Sequence, residues 1–132
     1  MAKTIVQKVV FKNAAPKELY NLYMDAKLHT EMTGGEAKIT DKAGTSFSAY
    51  SGYCKGKNIH LVKNELIVQS WRAEDWDQND PDSIFTIMFE QKGKDTVVHA
   101  VHAFLPDKFA ADISKGWHDY YWTPWQEHIG GK

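Results

Sequence analysis

The chain has 132 residues, 42% of them apolar and 25% charged, with a formal net charge of −1. That length suits about one domain, 1–132, and a core burying roughly two-thirds of the unfolded surface. The charge balance excludes the basic excess of a nucleic-acid binder, and no apolar run approaches the ~18 residues of a membrane span. The single cysteine, Cys54, cannot form an internal disulfide. In the opening MAKTIVQK, lysines stand where a secretion signal would be apolar, so a reducing, cytoplasmic setting is expected. Five tryptophans and 13% aromatic residues are generous for this length. An excess of rigid rings suits either a dense core or the wall of a cavity.

KTIVQKVVFK, residues 3–12, is rich in β-branched residues and predicts a strand. In NAAPKELYNLYMDA, Pro16 fits a first helical turn, and Leu19, Leu22, Tyr23 and Ala26 keep the spacing of a short amphipathic helix. AKLHTEM extends that helix or forms a second one before Gly34–Gly35. The period then becomes two. GEAKITDK, TSFSAYS, KNIHLVK, ELIVQSWRA, SIFTIMFEQ and TVVHAVHAFL predict six further strands with short connections. Parallel pairing would need crossovers of a dozen residues, so the pairing is antiparallel. PDKFAADISKGWHDYYWTPWQEHIGGK returns to helical spacing. Asp107 can cap its first turn, and Phe109, Ile113, Trp117 and Tyr121 repeat every four residues. Pro124 should kink the helix near its end, and Gly130–Gly131 terminates it. The result is one α+β unit whose long C-terminal helix covers one face of an antiparallel sheet.

Strand parity assigns the face under that helix. Ile67, Gln69 and Trp71 share one side of their strand; Phe85, Ile87 and Phe89 share another; Val98, Ala100, His102 and Phe104 share a third. Gln69 and His102 are the polar members of this inner set. Each either bonds a neighbour or faces a cavity and orients a ligand.

Signals for catalysis are weak. GYCKGKN departs from the phosphate-binding pattern, since Asn58 follows the lysine and no helix follows the loop. Gly52 and Gly56 are expected to serve a bulge or bend, and Cys54 to be a small apolar filler. His99 and His102 point to opposite faces of a strand and so do not pair on a metal. EDWDQNDPD lacks the glycine and terminal glutamate of a calcium loop. No catalytic set, metal site or cofactor is read from the sequence.

The blocks FSAYSGYCKGKNIHLVKNELIVQSWRAEDW and GWHDYYWTPW, with KELYNLYMDAK ahead of them, resemble the activator of heat-shock-protein-90 ATPase homologue (AHSA) family of the START-like, or SRPBCC, superfamily. The motifs are Phe47-Ser48, Gly52, Gly56, Leu61-Val62, Ile67-Val68, Trp71-Arg72, Trp76, Gly116-Trp117 and Tyr120-Tyr121, and the likeness covers essentially the whole chain. It implies a helix-grip (Bet v-like) fold: a curved antiparallel sheet around a C-terminal helix, two short helices after the first strand, and a cavity between sheet and helix. On that basis a small hydrophobic or amphipathic ligand is expected against Gln69, Trp71, Phe85, Ile87, Ala100, His102, Ile113, Trp117 and Tyr121. The resemblance also implies a heat-shock chaperone as an alternative partner, in a stress response, and an enzyme using His102 as acid or base as a third reading. Ser51 stands where the family often has an aspartate. The eukaryotic co-chaperones carry a separate N-terminal docking domain outside the region of likeness.

Overall fold

A computed structural model describes residues 2–131; Met1 and Lys132, the ends of the expected domain, lie outside them. β1 (Ala2–Phe11) is followed by α1 (Pro16–Met24) and α2 (Ala26–Thr33). Pro16 opens α1, where its missing N–H has no helical partner to lose. The Asp25 carboxylate accepts from the Leu28 amide and separates the two helices. Five strands come next: β2 (Ser46–Ala49), β3 (Cys54–Val62), β4 (Leu66–Ala73), β5 (Ser83–Lys92) and β6 (Asp95–Pro106). They form one antiparallel sheet of six strands in the order β1-β6-β5-β4-β3-β2. Its concave side is filled by α1, α2 and a C-terminal helix built of α3 (Asp107–Trp117), a π-helical turn (His118–Trp122) and α4 (Thr123–Gly130).

Three details differ from the sequence reading. GEAKITDK is not a ladder strand: it makes a single bridge, Lys38 to Ser48. Ala37 and Ile39 do alternate inward. Past the bridge, Asn58 Nδ2 donates to the Thr40 carbonyl (2.9 Å) and to Thr45 Oγ1 (3.3 Å). Second, Phe104 is not on the inner face. It adopts φ +63°, bulges from β6 and is 59% exposed, and Leu105 takes the inward position instead.

Third, the irregularity expected at Pro124 lies one turn earlier. Proline has no N–H for the carbonyl four residues before it and its ring crowds that carbonyl; the widened turn at His118–Trp122 absorbs both effects. Trp117, Tyr121, Trp122 and Trp125, on and around that turn, all face the core. Gln7 of β1 braces this step. It accepts from Trp122 Nε1 (2.6 Å), and its amide donates to the Ser114 carbonyl (3.0 Å) and hydroxyl (3.1 Å).

Gly56 brings β3 and β4 unusually close. A Cβ there would lie 1.9 Å from the Ser70 carbonyl oxygen, so no larger residue fits without moving a strand. Gly52, at φ +87°, closes the β2–β3 turn. The stretch GYCKGKN is thus a turn and the start of a strand.

Candidate functional site

The inner face carries the parity expected of it, with Ile67, Gln69, Phe85, Ile87, Val98, Ala100 and His102 all buried. Its polar members are bonded to neighbours. Trp117 Nε1 donates to His102 Nδ1 (3.0 Å). The ring proton therefore sits on Nε2, which donates to Ser83 Oγ (2.8 Å), and Ser83 donates to the Trp71 carbonyl (2.7 Å). Burial pulls the His102 pKa down to about 3, so the ring is neutral. With both nitrogens engaged, His102 has no site left for a substrate proton.

Gln69 is equally occupied. Its Oε1 accepts from the Tyr23 hydroxyl (2.7 Å), and its Nε2 donates to Asn58 Oδ1 (2.8 Å). A second interior histidine, His29, mirrors His102. Its Nδ1 donates to the Tyr23 carbonyl (2.8 Å), leaving Nε2 to accept from the Tyr121 hydroxyl (2.9 Å). Burial lowers its pKa to about 4. The Phe85 ring stacks on Trp117 at 4.0 Å and 5°, and Ile87 pairs with Ala100 across β5 and β6. This layer is filled.

An aromatic-lined cleft of about 340 Å³ lies toward one end of the C-terminal helix. Four of the nine expected ligand residues line it: Trp71, Ile113, Trp117 and Tyr121. Gln69, Phe85, Ile87, Ala100 and His102 do not reach it and instead form the packed layer supporting its walls. Of the other lining residues, the sequence places Phe109, Gly116 and Tyr120 on the aromatic helix, though not in the ligand set; the rest escape it. Tyr50 and Tyr53 come from the β2–β3 turn, Cys54 from the start of β3, Thr33 from the end of α2, and Asp75 from the segment after β4. Phe109, Asp112, Gly116 and Tyr120 come from the C-terminal helix. The one available signal was AYSGY, two tyrosines flanking a turn glycine.

Cys54 is no nucleophile. It is 4% exposed, burial pushes its thiol up to about 12, and its Sγ leans on the Ala49 carbonyl at 3.8 Å. In the acidic loop, the Arg72 guanidinium donates to the carbonyls of Asp77 and Asp80 and to the Asp82 carboxylate, so a cation of the chain itself organises that run. Among the described residues, no three His, Cys, Asp or Glu side chains converge as metal ligands. Nor is any helix among them long and apolar enough to cross a membrane.

A curved antiparallel sheet gripping a C-terminal helix, with a cleft at the end of that helix, defines a START-like, helix-grip domain. The model of the family described as Activator of Hsp90 ATPase homolog 1-like protein matches residues 13–126, and the chain belongs to that family. It is 28% identical over 116 residues to the Activator of 90 kDa heat shock protein ATPase homolog of Dictyostelium discoideum. That match takes in 87% of this chain but 30% of the relative's length. Among solved structures, PFC0360w, an HSP90 activator from Plasmodium falciparum, superposes with a TM-score of 0.87 at 24% identity over 96% of both chains. CalU16 from Micromonospora echinospora gives a TM-score of 0.82 at 19% identity over 97% of this chain and 76% of that one. At such identities these structures speak for the fold.

Proposed function

We propose that the single domain, 1–132, is a non-catalytic cytoplasmic binding module that takes a small hydrophobic or amphipathic ligand in this cleft. Trp71, Ile113, Trp117 and Tyr121 form the contact surface, and Gln69, Phe85, Ile87, Ala100 and His102 hold those rings from behind. The observation that carries the reading is an open volume of about 340 Å³ walled by aromatic side chains, within the range of ordinary ligand pockets (~300–1,000 Å³). Gly116 supports it, because a helix-interior glycine sacrifices stability and here leaves the wall low. Titration with fatty acids, sterols and flavonoids in two-dimensional NMR tests it. The expected shifts are at the Trp71 and Trp117 indoles and the Gly116 amide; shifts confined to the convex face of the sheet overturn it.

The family and the name of the Dictyostelium relative favour a second reading: an exterior surface modulates a heat-shock chaperone ATPase. The β2–β3 turn and the loop ordered by Arg72 are the surfaces assigned to it. Chaperone ATP turnover measured with and without the protein decides this. An unchanged rate together with no co-purification removes the idea.

A further inference from the structure

We infer that the cleft selects amphipathic molecules bearing a positive charge, such as an alkylammonium, over neutral or anionic ones of the same shape; this rests on the ligand-binding reading above. The lining contains two carboxylates, Asp75 and Asp112, and no Lys, Arg or His. Among the described residues, neither carboxylate has a cationic side chain within salt-bridge distance. The neighbouring cations have partners of their own. Lys108 pairs with Asp77 (3.5 Å) and lies over the ring of the lining residue Phe109 (5.1 Å), Lys115 pairs with Asp119 (3.9 Å), and Arg72 with the acidic loop. Asp75 takes a long hydrogen bond from the Tyr53 hydroxyl (3.5 Å).

The same lining carries the rings of Tyr50, Tyr53 and Tyr120, and the negative faces of such rings attract cations. Tyr50 and Tyr120 sit together at a centroid distance of 5.1 Å. They are held there at a cost. Tyr50 and Ser51 adopt φ +50° and +56°, and Gly35 leaves room for the Tyr50 backbone, since a Cβ at Gly35 would meet Tyr50 Cα at 2.9 Å. Two consecutive left-handed non-glycine residues persist only where the surroundings impose them, and here they deliver an aromatic rim rather than a buried contact. A ring-lined space with anionic edges and spent cations matches a molecule with an apolar body and a cationic head. An anionic head would meet two like charges.

The 132-residue chain is titrated with decyltrimethylammonium, 1-decanol and decanoate below their aggregation concentrations, with binding located by two-dimensional NMR. The expected result is preference for the cation by about tenfold over decanol, more over decanoate, and weakening as salt rises. Asp75→Asn/Asp112→Asn should reduce the cation-to-decanol ratio to about twofold, within the range that ring attraction alone supplies. Decanol or decanoate binding in the cleft as tightly as the cation overturns the charge inference and leaves the cleft reading standing. A ratio unchanged in the double variant also overturns it. No binding by any of the three sinks both.

Discussion

His29 and His102 are neutral in the folded chain, each bonded through both ring nitrogens, with pKa values lowered by burial to about 4 and about 3. Once unfolded, both titrate near the ordinary histidine value of about 6.5. Below that pH the unfolded chain binds protons that the folded chain refuses, so the stability from these two sites is complete above about 6.5 and falls as the pH drops. Full uptake of two protons gives a slope of about 2.7 kcal/mol per pH unit, approached between pH ~6 and ~4. By pH ~4.5 the loss is on the order of 5 kcal/mol, comparable with the whole stability of an ordinary domain. Urea unfolding followed by tryptophan fluorescence at steps between pH 7 and 5 measures the slope before most carboxylates titrate. His102→Gln should be less stable at pH 7 but lose about one proton from the slope. Stability that stays level from pH 6.5 to 5, or a slope unchanged in that variant, would refute the assignment of two buried neutral rings.

Gly56→Ala drives a methyl into the Ser70 carbonyl, and overpacking against backbone should cost about 3 kcal/mol or abolish folding; a midpoint within 0.5 kcal/mol of the parent, by the ~1 kcal/mol scale of ordinary surface changes, counts against the close strand approach. Gly116→Ala should do the opposite. Its added Cβ meets nothing nearer than 3.9 Å, so helix propensity should add about 1 kcal/mol, or roughly 3–5 °C in calorimetry. A lowered melting temperature would contradict the open helix surface described. Cys54 should label with iodoacetamide at the rate of global unfolding, and rapid labelling of the folded chain at neutral pH would show that its thiol is neither buried nor protonated.

The helix-grip architecture was legible because period-two alternation is strong in β4 and β5, where one face is apolar apart from Gln69 and Ser83. The inward register of Ile67, Gln69, Trp71, Phe85, Ile87, Ala100 and His102 follows from that alternation alone. At Phe104 the same rule failed, because a bulge adds one residue and reverses every later side chain. GEAKITDK shows the converse: alternation records which side chains face inward, but a ladder also needs backbone pairing along its length, and this segment meets the edge of β2 at a single bridge. The hydrogen-bond partners of the inner polar residues were not legible. Ser83, Asn58, Tyr23 and His29 are ordinary residues in the chain and become partners only through tertiary proximity. The cleft was half legible for the same reason. Its deep wall lies on one helix face with a readable repeat, whereas Tyr50 and Tyr53 reach it through a left-handed turn that no periodicity describes.

The brace from Gln7 to Trp122 joins residues 115 positions apart, and among the described strands β1 pairs with β6 alone. The ladder groups of β1 therefore stay unmatched during synthesis until β6 has emerged. A sheet closed in that order should zip up late, and the interval of waiting is when newly made chains are most exposed to mispairing with one another.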